Sequence, residues 1–293
     1  MNYIYFNFGQ TPTYLEYSIN SVLSLEKDAR VIFCSDQANK VKGIDSLNTN
    51  SLEEFSKKKE WVLKIFSKFN FDKNPLWYSS ILRVYALNYV SKHFNLDNFT
   101  HFDNDVLIYK KIKDLKQKNY FNQKTINITK SDNNHLVFGF SYFSNIELIN
   151  NLCILFDEIL LDYDYYSKNF ARGKNLNEMR MLKIAESINP ELFNILDSLP
   201  YDNNQFLFDP SSYGQYFDGT HLKRGNHYLK RRYISTNHIV GREIKSKRIK
   251  PVYKNKTPYV NFENKNFDLV NLHIHSKNLN KFLNKEYKTV INL

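Results

Sequence analysis

The stretch "FTHFDNDVLIYK", residues 99–110, places two aspartates, Asp103 and Asp105, between two apolar runs. On one packed face of an unbroken strand, two carboxylates without partners would be costly. A turn after the strand is a cheaper arrangement, because Asp and Asn side chains hydrogen-bond their own backbone there. A third interpretation is a divalent-metal site, in which two hard oxygen donors at a strand end meet an ion and a phosphate.

A second triplet of this kind, Asp162-Tyr163-Asp164, ends an apolar segment with helical spacing. We predict a solvated helix end there. Asp103 and Asp105 instead follow a helix that starts near Pro75 and a short strand. That order predicts the C-terminal edge of a parallel sheet, where open α/β folds bind ligands. Position therefore favours the first triplet as the functional one.

The N-terminal third has the pattern of a right-handed βαβ unit. "YIYFNF" (3–8) and "ARVIFCSD" (29–36) are typical of strands, and helix-spaced apolar residues from Leu15 lie between them. Further helices are predicted at 52–69, 145–160 and 175–188, and further strands at 125–129, 135–143, 204–209 and 267–274. The pattern predicts an α/β fold with a mostly parallel central sheet flanked by helices, in a single domain over residues 1–293.

The chain carries a formal net charge of +11 and has a pI of about 9.3 over 293 residues. A basic balance suits phosphate-bearing partners such as nucleotides, nucleic acid or an anionic membrane face. AT-rich codon usage, which favours Lys and Asn, is an equal alternative. Two cysteines, Cys34 and Cys153, cannot build a disulfide framework, which fits a reducing cytoplasm. Neither a signal peptide nor an apolar run of the ~18–20 residues that cross a bilayer is present.

The tail "NLHIHSKNL" (271–279) is the other unusual stretch. His273 and His275 alternate, so both are expected on one strand face, and Lys277 follows two residues later. A structural role is an open alternative for the histidine pair. One imidazole could also complete a metal shell that two carboxylates start, with the lysine and backbone N–H groups holding a diphosphate.

These motifs together resemble the GT-A class of metal-dependent glycosyltransferases, and within it the bacterial surface-polysaccharide transferases. The resemblance runs nearly end to end. It rests on five segments: "YFNFGQTPTYLEYSINSVL" (5–23), "WYSSILRVYALNYV" (77–90), "THFDNDVLIY" (100–109), "FDPSSYGQYFDGT" (208–220) and the tail. It implies a GT-A-like, Rossmann-type sheet, Mn²⁺ or Mg²⁺ as cofactor, a nucleoside-diphosphate sugar as donor and a glycan acceptor. It further implies a nucleotide-sugar half (1–110) and an acceptor half (111–293).

The resemblance also implies roles for single residues. Asp105 and His275 would bind the metal, and Asp103 would bind the metal or the ribose. The remaining donor contacts that it implies are Phe8 and Gly9 under the base, Asp36 bonded to the base and Asn104 within the motif. It places Lys277 at the donor phosphates and Arg83 at the diphosphate or the sugar. For Arg83, a surface helix arginine is an equal alternative.

The resemblance also leads us to expect a catalytic base. Inverting enzymes need a carboxylate that deprotonates the acceptor hydroxyl, and Glu178 lies at a predicted helix start. A capping carboxylate in the first helical turn would explain Glu178 equally well. Asp209 and Asp218 are rival candidates.

Two other functions stay open at this point. A basic nucleic-acid-binding protein would fit the charge, although no recognised binding motif is present and no nucleic acid is expected as partner. A metal-dependent phosphohydrolase could use both tail histidines and both aspartates to hold two ions. For the transferase, we expect a cytoplasmic location, with the inner face of the membrane as a peripheral contact.

Overall fold

The computed structural model describes residues 1–37, 40–68, 76–201, 204–220, 223–224, 227–228 and 236–293. Within these ranges the α-helices are α1 Leu15–Leu25, α2 Glu53–Phe66, α3 Leu76–His93, α4 Ile112–Gln117, α5 Ile146–Leu161, α6 Tyr163–Ala171, α7 Glu178–Ile188, α8 Tyr213–Asp218 and α9 Ile239–Lys245. No described helix is both long enough and apolar enough for a membrane crossing.

The strands of the same ranges fall into a large sheet and smaller ones. They are β1 Asn2–Asn7, β2 Arg30–Ser35, β3 Asp45–Asn48, β4 Phe99–His101, β5 Val106–Ile108, β6 Ile126–Asp132, β7 His135–Phe143, β8 Phe193–Ile195, β9 Phe206–Leu207, β10 Lys223–Arg224, β11 His227–Tyr228, β12 Lys250–Lys254, β13 Thr257–Phe262, β14 Lys265–Leu269 and β15 Asn271–His273.

The central sheet has seven strands in the order β3-β2-β1-β4-β7-β6-β8. Strands β3, β2, β1 and β4 are mutually parallel, β7 is antiparallel to both of its neighbours, and β8 is parallel to β6. The predicted βαβ unit is β1-α1-β2. The α/β prediction with a mostly parallel sheet is therefore confirmed.

Alternation along β1 shows why helices cover both faces of this sheet. Ile4 and Phe6 belong to one apolar cluster, which includes residues of α2, α3, α5 and α7. Tyr3 and Tyr5 point the other way, into a second cluster with residues of α1 and α4. Because both faces are buried, the strand reads as a continuous apolar run.

A smaller sheet, in the order β12-β13-β14-β9, packs in a third apolar cluster with α8 and α9. Here the structure differs from the expected single strand at 267–274. The segment is divided at Val270: β14 pairs with β9, and β15 pairs antiparallel with β5. The predicted strand at 204–209 is likewise reduced to Phe206–Leu207. This division brings the tail beside the strand that follows Asp105.

Candidate functional site

The two aspartates lie in the turn that joins β4 to β5. The Val106 N–H donates to the Asp103 carbonyl at 3.1 Å and closes the turn. Strand β4 runs parallel to β1, so the turn lies at the predicted C-terminal edge of the parallel strands. Asp105 is nevertheless buried, with 3% of its surface exposed. The second triplet is a solvated helix boundary as predicted, because Asp162 is exposed between α5 and α6.

His273 completes the group from the other end of the chain. It pairs with Val106 across β15 and β5, and the next residue, Ile274, donates its N–H to the Asp105 carbonyl at 2.8 Å. The His273 Nε2 lies 3.0 Å from Asp105 Oδ1 and 3.6 Å from Asp103 Oδ2. One ligand atom from each residue lies within 4.8 Å of the other two.

We expected His275 in this group, and the structure places His273 there instead. Alternation holds only inside a strand, and β15 ends at His273. The chain then turns, with the Lys277 N–H donating to the Ile274 carbonyl at 2.9 Å. The His275 ring lies beside the His273 ring, with centroids 4.4 Å apart. Burial, followed by the His273 charge, lowers the pKa of His275 to about 3.

Two cationic side chains contact the aspartates. Arg83, on α3, bonds Asp103, and Lys277 bonds Asp105. Burial alone would raise the pKa of Asp103, but the Arg83 and His273 charges outweigh it and hold that pKa below its ordinary value. Burial is likewise outweighed at Asp105, whose pKa His273 and Lys277 keep well below the ordinary value. Both carboxylates are therefore ionised and available to cations.

The side chains of Asp103, Asp105 and His273 could act as ligands for the divalent ion that the sequence motif implies. The two carboxylates suit Mn²⁺ and Mg²⁺, and the imidazole is a common ligand of transition-metal ions. The separations of 3.0 and 3.6 Å between His273 Nε2 and the two carboxylates are those of neighbouring ligands on an ion with bonds of about 2.1 Å. Among the described residues, this is the one group found that could hold a metal ion, and it includes a single histidine. The two-ion arrangement with both tail histidines finds no support there.

Glu178 reaches the site through Arg83. It is the first residue of α7, and its Oε1 accepts from Arg83 Nη2 at 2.7 Å. The helix cap is supplied by Asn177, whose side chain accepts the Arg180 N–H. Burial raises the pKa of Glu178, and the Arg83 charge opposes this only in part. Arg83 thus bridges Asp103 and Glu178 from within the cluster and is not a surface helix arginine.

Asp209 and Asp218, the two other candidates for the catalytic base, both accept several hydrogen bonds that hold the fold. Asp209 is completely buried and accepts the N–H groups of His273, at 3.0 Å, and of the α8 start: Ser212 at 2.6 Å, Tyr213 at 2.9 Å and Gly214 at 2.9 Å. Asp218 accepts from Ser276, Asn278 and Lys281 and so holds the loop on either side of Lys277. Neither carboxylate is free to meet an acceptor hydroxyl in this arrangement.

Two glycines allow His273 its position. A Cβ on Gly139, in β7, would lie 2.9 Å from His273 Nδ1, and one on Gly214 would lie 2.0 Å from the His273 carbonyl oxygen. The sequence analysis did not identify this role. A glycine inside the strand pattern "HLVFGFSYF" was the available signal, since such a glycine often marks close approach.

The expected nucleotide contacts line the same edge of the sheet. The Gly9 N–H donates to Asp36 Oδ1 at 2.7 Å, which joins the ends of β1 and β2. Asn7 donates to the Gly9 carbonyl and accepts from Asn104 at 3.3 Å, which links this pair to the aspartate turn. The Phe8 ring packs edge-on against Tyr78, with centroids 5.5 Å apart. The structure therefore brings these residues together, while their contacts with a nucleotide stay a prediction.

Several solved glycosyltransferases are similar in structure. Mouse xyloside xylosyltransferase 1 shares 14% identity over 71% of this chain and 88% of its own, with a TM-score of 0.48. The galactosyltransferase LgtC, solved with donor and acceptor sugar analogues, shares 10% identity over 68% of this chain and 74% of its own, with a TM-score of 0.43. The glycosyltransferase GlyE of Streptococcus pneumoniae shares 9% identity over 73% of this chain and 47% of its own, with a TM-score of 0.39. This chain therefore spans about half the length of GlyE.

The chain is thus similar, at low identity, to GT-A glycosyltransferases, as its motifs indicated. No protein-family model and no curated protein matches it. At such identities and TM-scores the similarity says nothing about activity. The function is therefore inferred from the site.

Proposed function

We propose that this chain is a glycosyltransferase that moves a sugar from a nucleoside-diphosphate sugar to a glycan acceptor, with Mn²⁺ or Mg²⁺ as cofactor. The observation that carries the proposal is the group of Asp103, Asp105 and His273 at the C-terminal edge of the sheet, flanked by Arg83 and Lys277. The resemblance of the sequence motifs to GT-A enzymes supports the donor class.

The cluster suits a leaving diphosphate because it combines fixed cations with a cation site. Ionised Asp103 and Asp105 alone would repel a diphosphate. Asp103, Asp105 and His273 would hold a divalent ion, which would supply positive charge beside a departing diphosphate. Lys277 and Arg83, held in place by their carboxylate partners, add fixed positive potential beside it.

The nucleotide belongs, in this proposal, on the edge formed by residues 1–110. Phe8 and Gly9 lie at the end of β1, with Gly9 at φ +79° and open space above it. A backbone without a Cβ lets a ligand approach closely. Asp36 and Asn104 lie on either side in the same hydrogen-bonded chain. In this proposal Asp36 bonds the base, and Asp103 binds the metal or the ribose.

The acceptor meets the donor in the half formed by residues 111–293, beside Glu178. A carboxylate whose pKa is raised by burial is closer to the value that a general base needs near neutral pH. Glu178 then takes the proton of the acceptor hydroxyl. The alternative for this residue is to position Arg83 through their 2.7 Å contact. We propose a cytoplasmic location, including the inner membrane face.

A thermal-shift screen of nucleotide sugars with Mn²⁺, followed by product analysis, tests this function. We expect one nucleotide sugar to stabilise the protein in a Mn²⁺-dependent manner, and transfer to require a glycan acceptor. Cleavage of the sugar nucleotide at the same rate without an acceptor would indicate a phosphohydrolase. Absence of any nucleotide effect together with a salt-dependent shift of nucleic acid would refute the transferase.

A further inference from the structure

A basic groove borders the candidate site on its acceptor side. Two adjoining cavities, of about 270 and 470 Å³, share Asn133, Asn134, His135, Lys174 and Arg180 as lining. Five cationic side chains line the pair: Arg172, Lys174, Arg180, Lys183 and Arg242. We call these five residues and the turn at 132–135 the basic groove.

The positive charge of the basic groove is largely uncompensated. Its one acidic lining residue, Asp132, is bonded to His135 Nδ1 at 2.9 Å. Lys183 pairs with Glu186. The other four cations have no acidic partner among the described residues, and the Arg180 guanidinium donates only to a backbone carbonyl, that of Asn175, at 2.7 Å. Four such cations around two adjoining cavities favour an anionic occupant.

Three elements connect the basic groove with the reaction centre. Helix α7 carries Glu178 at its start and Lys183 five residues later, a rise of about 7–8 Å. Strand β7 starts at His135 and carries Gly139, which faces His273, about 13 Å further along. The third element is α9, which carries Arg242 and begins after His238. The His238 Nδ1 lies 3.2 Å from Ser212 Oγ, and the Ser212 N–H donates to Asp209. The groove therefore begins at Arg180, two residues beyond Glu178, and lies on the side of β4 away from the nucleotide edge.

We infer that the basic groove binds an acidic glycan, so that the acceptor of the proposed transfer carries phosphate or carboxylate groups a sugar unit or more from the reacting hydroxyl. The role of this glycan as an acceptor rests on the proposed function, whereas its binding to the basic groove does not. Arginine guanidinium groups bind both anions in two-pronged geometry, and lysines add point charge. An uncharged glycan would leave these cations without a partner.

The experiment measures binding in EDTA without nucleotide, so that it is independent of transfer. The probes are a phosphodiester-linked oligosaccharide, an oligogalacturonate and a neutral malto-oligosaccharide. The test variant is Lys174→Gln/Arg180→Gln. The matched control, Lys118→Gln/Lys124→Gln, removes the same charge from exposed lysines elsewhere. Nucleoside-diphosphate binding with Mn²⁺ is measured in parallel on all three proteins.

We expect at least one acidic probe to bind and the neutral probe not to bind. The groove variant should weaken acidic binding by about tenfold, while the control stays within about twofold. The more strongly bound acidic probe identifies phosphate or carboxylate as the recognised group. Equal binding of neutral and acidic probes, or an equal loss in the control, would overturn the inference.

Vesicles provide the remaining arm of the test. Binding to phosphatidylglycerol vesicles, but to neither acidic oligosaccharide, would assign the basic groove to a membrane surface and overturn the inference. If the wild type binds an acidic glycan but does not bind a nucleoside diphosphate in Mn²⁺, the proposed function is refuted and the binding of acidic glycans by the groove is not. If the groove variant binds the nucleoside diphosphate as the wild type does, its weaker binding of the acidic probe is a local effect.

Discussion

Two buried aspartates lie next to His273, and they are held in opposite ways. Asp105 is bonded by side chains, the His273 imidazole and the Lys277 ammonium. Asp209 is bonded by four backbone N–H groups, one of them from His273 itself. The pKa of Asp105 is held well below its ordinary value, whereas burial raises that of Asp209 despite its hydrogen bonds. Side-chain partners can be exchanged for a ligand, while backbone partners commit a carboxylate to the fold.

Glu178 sharpens the comparison because it is a third buried carboxylate whose known partner is a side chain, Arg83. We expect Glu178→Gln to lower turnover by about 10²–10⁴-fold, the usual worth of a positioned base. In the proposed function Glu178 takes the proton of the acceptor hydroxyl, so nucleoside-diphosphate binding should persist. Steady-state rates together with calorimetry on the one variant measure both.

The competing role of Glu178 gives a different result. If it only supports the helix start, Glu178→Gln costs about 0.3–1 kcal/mol of unfolding free energy and leaves turnover near normal. That outcome would remove Glu178 from the chemistry. Asp218→Asn is the matched control, since Asp218 bonds Ser276, Asn278 and Lys281 outside the cluster, and turnover should then fall far less.

Asp209 tests the other side of the comparison. We expect Asp209→Asn to lower the free energy of unfolding by about 1–3 kcal/mol, because an amide nitrogen replaces one acceptor oxygen and leaves buried N–H groups unpaired. Denaturant unfolding at pH 7 measures this. Asp105→Asn should lose nucleotide binding more than stability. The comparison fails if Asp209→Asn unfolds like the wild type while its nucleotide binding disappears.

The two tail histidines give the next effect. His273→Asn should weaken Mn²⁺ binding by about tenfold or more, since it removes the imidazole 3.0 Å from Asp105. His275→Asn, the matched control on the neighbouring ring, should change it by about threefold or less. Electron paramagnetic resonance of free Mn²⁺ measures both. A larger loss in His275→Asn would return the ligand role to the residue that the sequence favoured.

Gly139 should give the smallest effect. The Cβ of Gly139→Ala would lie 2.9 Å from His273 Nδ1, so the ring must shift by a few tenths of an ångström. We expect Mn²⁺ affinity to fall by a few-fold, about 1 kcal/mol. The loss should vanish in a His273→Asn background, as a double-mutant cycle would show. An undiminished effect in that background would mean that Gly139 acts elsewhere.

The sequence predicted the site where local patterns suffice. Strand, helix and strand in the first 36 residues, and an apolar run ending at Asp103, have clear local periods. The choice between His273 and His275 could not be predicted in this way, because it depends on where the tail strand ends. Strand β15 ends at His273, the last residue paired with β5, and this register between distant segments is one that no local pattern records.

Asp209 shows the same limit from another direction. Its stretch, "FDPSSYGQYFDG", is rich in turn formers, which is equally typical of a catalytic loop and of a structural one. Only the long-range N–H from His273 distinguishes the two. Helix α6 was not predicted, because the solvated helix end expected at Asp162 gives no sign that a second helix starts at Tyr163.

The central claim is that Asp105 holds a divalent ion which a nucleoside diphosphate shares. Calorimetric titration of the protein with a nucleoside diphosphate, in Mn²⁺ and in EDTA, tests it most directly. We predict binding in Mn²⁺ that weakens in EDTA, and that weakens by about tenfold or more, at least about 1.4 kcal/mol, in Asp105→Asn with Mn²⁺ present. Equal affinity in Mn²⁺ and EDTA, unchanged by Asp105→Asn, would contradict the account.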